Sequence, residues 1–192
     1  MIKNFFPTPV SFSKINIDNR RLSEEVYTLL EHNKNQLKSG VNGYRIDINQ
    51  TTIDNNELLI GDLLSKIQTK ISNYCNSLNI VNQRIIQSWI NINPTNAYNK
   101  KHCHPNSYIS GAYYINVPKD CNSPITFFRS REYKDYGWQS ISLDKNLDYT
   151  SEINYMPHTS DLILFPSFLE HDVGPNMSES QDRISLSFNT HI

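Results

Sequence analysis

The sequence predicts a mainly β fold of the α+β class: an antiparallel sandwich or barrel with N-terminal helices packed on one outer face. Three observations predict it. Two stretches before residue 82 carry apolar residues at helical spacing. After about residue 83 the texture changes to short β-branched and aromatic runs split by Pro, Asn and Gly. The apolar content of 38%, with 11% aromatic residues, is enough for a packed interior.

Taken in order, Leu22, Val26, Leu29 and Leu30 fall at i, i+4, i+7 and i+8, one face of a helix. The cluster 39–43, Ser-Gly-Val-Asn-Gly, reads as a turn. Asp54 and Glu57 form a capping pair ahead of a second helix. In that helix Leu58, Leu59, Leu63, Leu64, Ile67, Ile71, Tyr74, Cys75 and Leu78 recur at helical spacing. The predicted strands are Arg84–Ile92, Tyr108–Val117, Pro124–Phe128, Trp138–Leu143, Asp161–Phe165, Glu170–Val173 and Arg183–Asn189. Phe165, Leu164, Ile163, Phe188 and Trp89 are the expected core residues. The segment 129–150 reads as a long connection carrying Arg129, Arg131, Tyr133, Tyr136 and Trp138, a mixture suited to gripping a peptide.

The 192 residues are expected to form one domain, with 1–82 a mainly helical support and 83–192 the β core. The formal charge of −1 disfavours general binding to nucleic acid. No apolar run is long enough for a membrane span, and the N-terminus has no signal-peptide pattern. Cys75, Cys103 and Cys121 are odd in number and not spaced as a disulfide framework, so a reduced cytoplasm is the expected compartment.

Histidine is scarce, with six in the chain. His102 and His104 flank Cys103, and on an extended chain alternate residues share a face. Two imidazoles so placed can meet one metal ion, each through a neutral nitrogen lone pair. His171, after the apolar strand Leu162-Ile-Leu-Phe165 and a Pro-Ser turn, is the best third ligand. His32, His158 and His191 read as ordinary core or surface residues.

Twelve residues after His171, Arg183, Ser185, Ser187 and Asn189 alternate with Ile184, Leu186 and Phe188. The apolar set must face the core. If the opposite face lines a polar interior, Arg183 with Ser185 makes a carboxylate clamp: a guanidinium fork for bidentate contact and a hydroxyl for one more bond.

Together these features resemble the 2-oxoglutarate/Fe(II) oxygenases, including the prolyl hydroxylases, whose core is a double-stranded β-helix (a jelly roll, cupin-like). The resemblance is closest to a little-characterised branch known mainly from bacteria and phages. The matching stretches are Phe5-Phe-Pro-Thr-Pro-Val10, Ser88-Trp-Ile-Asn91, His102-Cys-His-Pro-Asn-Ser107, Ser110-Gly-Ala-Tyr-Tyr114, Leu162-Ile-Leu-Phe-Pro-Ser167, His171 and Arg183-Ile-Ser-Leu-Ser-Phe-Asn189.

The resemblance implies that 83–192 is the double-stranded β-helix. It implies His102, His104 and His171 as Fe(II) ligands and catalytic centre, with 2-oxoglutarate and O2 as cosubstrates. Arg183 and Ser185 would hold the far carboxylate of 2-oxoglutarate, and Tyr113, Tyr114 or Asn91 its metal end. Asn106 and Ser107 would turn the chain behind the His pair. The implied reaction hydroxylates a C–H bond of a protein or peptide residue, prolyl first among them, as 2-oxoglutarate becomes succinate. The superfamily's usual carboxylate ligand is missing, with His104 in its place. Three neutral imidazoles leave the ion's +2 charge to dianionic 2-oxoglutarate, so its binding should depend more on the metal. Asp172, the nearest spare carboxylate, should point away from the face of His171.

Two other readings stand beside this one. One is a cupin-like three-His metalloenzyme that does not use 2-oxoglutarate. The other is a non-catalytic β-sandwich that acts as a binding module.

Overall fold

The computed structural model describes residues 7–32, 35–36, 40–48, 59–129 and 151–192. The described strands form two sheets, all of whose pairings are antiparallel. In chain order they are β1 (Ser11–Lys14), β2 (Asn35–Gln36), β3 (Gly40–Val41), β4 (Tyr44–Ile48), β5 (Arg84–Asn93), β6 (Tyr98–His102), β7 (Ile109–Asn116), β8 (Ile125–Phe128), β9 (Glu152–Tyr155), β10 (Asp161–Pro166), β11 (His171–Val173) and β12 (Arg183–His191). The major sheet runs β1-β10-β7-β12-β5-β4-β2 and the minor sheet β3-β6-β11-β8-β9. This is the expected jelly roll, a sandwich of two sheets and not a closed barrel.

Two helices, α1 (Asn19–His32) and α2 (Leu59–Leu78), cover the outer face of the major sheet. Asp18 caps α1, its carboxylate accepting the Arg21 N–H at 3.1 Å. Glu25 of α1 accepts the Leu59 N–H at 3.0 Å, so one helix caps the next. The proposed capping pair Asp54 and Glu57 lies outside the described residues. At the far end of α2, Asn79 takes a positive φ of 53° while Ile80 N–H donates back to the Cys75 carbonyl. Asn42, Asn96 and Asn106 adopt the same left-handed backbone. The turns therefore use Asn where other chains use Gly, and only six glycines are present.

The packed interior is double. Ile60, Leu63, Ile67 and Ile71 of α2 meet Leu162, Leu164, Ile184, Leu186 and Phe188 beneath the helices. Ala112, Tyr114, Ile163 and Phe165 meet Ile125 and Phe127 between the sheets. All five predicted core residues are buried, though Ile163 and Phe165 serve the second cluster and Leu164 and Phe188 the first. Gly111 is fixed by this packing. A methyl there would lie 2.4 Å from the Phe188 ring and 2.6 Å from the Ile163 carbonyl oxygen.

Segment 1–82 carries both described helices. That segment also contributes β1, β2 and β4 to the major sheet and β3 to the minor one. Tyr44-Arg-Ile-Asp-Ile48 pairs with β5 because buried Ile46 and Ile48 complete the apolar face there. The strand expected at Trp138–Leu143, and nearly all of the 129–150 connection, lie outside the described residues.

Candidate metal centre

The two sheets enclose a polar pocket, and the polar face of β12 lines it. Its lining includes Trp89, Asn91, Tyr114, Phe165, Arg183 and Ser185, together with three histidines. No Asp or Glu is among the described lining residues.

β6 and β11 are neighbours in the minor sheet, and their register sets His102 directly opposite His171. His104 follows two residues on, where its N–H donates to the Ser167 carbonyl at 2.9 Å and ties the chain to the end of β10. Asn106, with φ 64°, then turns the chain toward β7, so the turn expected at 106–107 is present. The result brings together the three histidines named from sequence. Their ligand nitrogens lie within 4.8 Å of one another. Among the described residues this is the one group of His, Cys, Asp or Glu so placed. Cys103 points out to solvent. Asp172 stays outside the group and off the pocket lining, as alternation on a strand requires.

The ring nitrogens are sorted by their backbone partners. His102 Nδ1 lies 2.6 Å from the Lys100 carbonyl and His171 Nδ1 2.9 Å from the Leu169 carbonyl. A carbonyl only accepts, so both Nδ1 atoms carry the hydrogen and both Nε2 atoms keep a lone pair. Phe165 packs against His171 with ring centres 4.7 Å apart, and Trp89 lies 5.8 Å from His104.

Burial is the main cause that lowers all three imidazole pKa values. His171 is pushed down to about 3, helped by His102. His104 falls to about 4, helped by His102 and Arg45. The rings are therefore neutral at pH 7, the state in which imidazole binds a metal. A compact set of neutral nitrogen donors, two of them with fixed tautomers, fits a ferrous ion.

Arg183 is buried, with 2% exposure. One guanidinium nitrogen donates to the Gly174 carbonyl at 2.8 Å, and the other approaches Cys121 Sγ at 3.9 Å. It has no carboxylate partner among the described residues. An unpaired buried cation is costly, and here it faces a cavity. Ser185 is on the same wall, opposite Asn91 and Tyr114 in register.

One named residue is elsewhere. Tyr113 faces the helices: it pairs with Leu162 and Leu186, and its hydroxyl donates to Asn19 Oδ1 at 2.9 Å. The pocket receives Tyr114 instead, because neighbouring strand residues point to opposite faces. Sequence reasoning assigned no pocket role to Trp89, Asn93, Asn99 or Ser187. Ser187 shares the parity of Arg183 and Ser185, and that was the available signal. Arg45, whose guanidinium lies 4.3 Å over the Trp89 ring, had none, since its strand was not recognised.

A family model described as "Putative 2OG-Fe(II) oxygenase" matches residues 87–189. Among the curated proteins there is no match. The fold is similar to that of a prolyl-4-hydroxylase from Pseudomonas putida, at a TM-score of 0.65 and 13% identity, covering 94% of this chain and 91% of that one. It is also similar to a prolyl hydroxylase from Trichoplax adhaerens solved with a hypoxia-inducible-factor peptide (TM-score 0.63, 15% identity, 94% and 82% covered). A third similar structure is a viral collagen prolyl hydroxylase from Paramecium bursaria Chlorella virus-1, a 2-oxoglutarate complex (TM-score 0.55, 11% identity, 93% and 94% covered). At these identities the likeness is one of fold.

Proposed function

The chain belongs to the 2OG-Fe(II) oxygenase family, and from that premise we propose that it hydroxylates a C–H bond in a protein or peptide residue, prolyl first among them. Its class is that of the 2-oxoglutarate- and Fe(II)-dependent oxygenases. Family membership leaves aside both a non-catalytic module and a metalloenzyme that does without 2-oxoglutarate.

In this proposal His102, His104 and His171 hold the iron, and Arg183 with Ser185 holds the far carboxylate of 2-oxoglutarate. The bound iron supplies the oxidising chemistry that turns 2-oxoglutarate and O2 into succinate, CO2 and a hydroxylated substrate. The chain's own part is placement. The Lys100 and Leu169 carbonyls hold two rings in the metal-binding tautomer. Phe165, Phe127 and Ile125 form a dry wall beside His171. Of the three residues named for the metal end, Tyr114 and Asn91 line the pocket and Tyr113 does not.

One observation carries the cosubstrate reading: a buried guanidinium with no carboxylate partner among the described residues, on the same cavity as three clustered histidines. A dianion that binds metal at one end and Arg183 at the other satisfies both. The peptide substrate is supported by the fold's likeness to prolyl hydroxylases, one of them solved with a peptide. We place the reaction in a reduced cytoplasm, a reading supported by three free cysteines; no described helix is long and apolar enough to cross a membrane.

The test is incubation of the iron-loaded protein with 2-oxoglutarate, O2 and a peptide library that includes proline-bearing sequences. Succinate should form in step with peptides that gain one oxygen atom. Peptide-independent turnover with no oxidised peptide, alongside a small molecule that is oxidised stoichiometrically, would overturn the peptide assignment.

A further inference from the structure

We propose that Ser187, oriented by Asn91, donates a hydrogen bond to the metal-end carboxylate of 2-oxoglutarate. The proposal rests on the reading of the pocket as a cosubstrate site. It adds a contact beyond the Arg183 and Ser185 pair.

Position comes first. Across β12 and β5, Arg183 lies opposite Asn93, Ser185 opposite Asn91 and Ser187 opposite Trp89. All six line the pocket. Trp89 is the ring beside His104. Ser185 and Ser187 are two residues apart, about 7 Å along the wall, the scale of a five-carbon diacid, so a ligand whose far carboxylate is held by Arg183 and Ser185 can bring its other end beside Ser187.

The hydrogen-bond chemistry comes second. Asn91 is buried at 6% exposure. Its Nδ2 donates to Ser187 Oγ at 2.9 Å and to Ser185 Oγ at 3.4 Å. Both amide hydrogens are thus committed to hydroxyl oxygens, and each hydroxyl keeps its own hydrogen to give. Among the described residues neither serine donates to a protein acceptor. The amide holds this orientation although its Oδ1 is buried without a partner. An orphan acceptor in a cavity wall is tolerated where a bound molecule and its water complete the wall. Asn91 is then a positioning residue: it presents two hydroxyl donors to one anionic ligand.

The experiment is an anaerobic titration of 2-oxoglutarate into the Fe(II)-loaded protein, followed by the visible charge-transfer band. Ser187→Ala should weaken 2-oxoglutarate by about 10-fold or more, as expected for a hydrogen bond to a charged group. It should also move the band maximum, because the carboxylate next to the keto group is perturbed. Arg183→Lys should weaken binding and leave the maximum in place. Asn91→Ala should weaken binding in the wild type and do so by less on top of Ser187→Ala, where only Ser185 is left for the amide to orient. Iron affinity without 2-oxoglutarate and near-ultraviolet circular dichroism serve as controls for folding. Should Ser187→Ala not fold, Ser187→Cys, of similar size and a poor donor, is read the same way. Wild-type affinity and an unmoved band in the Ser187 variant would overturn the proposal. Equal effects of Asn91→Ala in both backgrounds would overturn the role given to Asn91. Absence of any band in the wild type would overturn the cosubstrate reading itself.

Discussion

His171 sits directly across from His102 in the β11–β6 register, and each ring donates its Nδ1–H to the carbonyl two residues before it. One hydrogen-bonded strand pair thus supplies two of the three candidate ligands with their tautomers already set. Little reorganisation is left for metal binding, which favours affinity. His171→Ala removes one donor of three. Its expected outcome is loss of iron-induced thermal stabilisation, measured by melting with and without Fe(II) under anaerobic conditions.

In the proposed site His104 takes the position at which the family resemblance implies a carboxylate ligand. With three neutral ligands the protein leaves the ion's charge uncompensated, and 2-oxoglutarate must neutralise it. Iron and 2-oxoglutarate should therefore strengthen each other's binding by the same factor. Calorimetric titration of each in the presence of the other should give a coupling of at least about tenfold, the scale of one typical allosteric coupling. His104→Asp should bind iron more tightly alone and show a smaller coupling.

Arg183 is a buried cation with no carboxylate partner among the described residues. Arg183→Ala should weaken 2-oxoglutarate by about 10- to 100-fold, the worth of a hydrogen bond to a charged group. Iron affinity measured without 2-oxoglutarate should stay near that of the wild type. Near-ultraviolet circular dichroism of the variant serves as the control for folding, since the change also removes the hydrogen bond to the Gly174 carbonyl.

The pH dependence of the metal-free protein follows from the same burial. The folded state holds His104 near 4 and His171 near 3. An unfolded chain takes up protons on both rings near their ordinary value of about 6.5. Below that value the unfolded state binds more protons, so stability falls as the pH drops. The loss runs from about 6.5 down to the folded values and levels off below them. Urea unfolding between pH 7 and pH 4 should show it. His104→Gln and His171→Gln should flatten the slope.

Gly111 and Phe188 share one space. Gly111→Ala must displace both the Phe188 ring and the Ile163 carbonyl of β10. Overpacking of this kind costs about 1–3 kcal/mol, and Phe188→Ala about 3–5 kcal/mol through the cavity it leaves. Denaturant unfolding of both variants measures these losses. The double variant should lose less than the sum, since removing the ring relieves one of the methyl's two close contacts and the methyl fills part of the cavity.

Much of this was legible in the sequence, for physical reasons. Strands such as β10 and β12 declared themselves because buried β-branched and aromatic residues dominate them or alternate with polar ones. β6 did not: Tyr98-Asn-Lys-Lys-His102 has no apolar periodicity, and only its pairing with β3 and β11 makes it a strand. The three histidines were readable because the residue is scarce and two stood at strand spacing. Tyr113 was misplaced because parity along β7 depends on register with β12, which no local pattern records. There Ser185 pairs with Tyr114, and Leu186 with Tyr113. The Asn91 amide's grip on two serines was equally invisible, since it joins residues 94 and 96 positions apart.

The account stands most directly on an anaerobic titration of the wild-type protein with Fe(II) and 2-oxoglutarate, read as visible absorbance and compared with His171→Ala. It predicts one charge-transfer band at one iron and one 2-oxoglutarate per chain, absent from the variant. A band of the same strength in His171→Ala, or none in a wild-type protein shown to bind both, would contradict it.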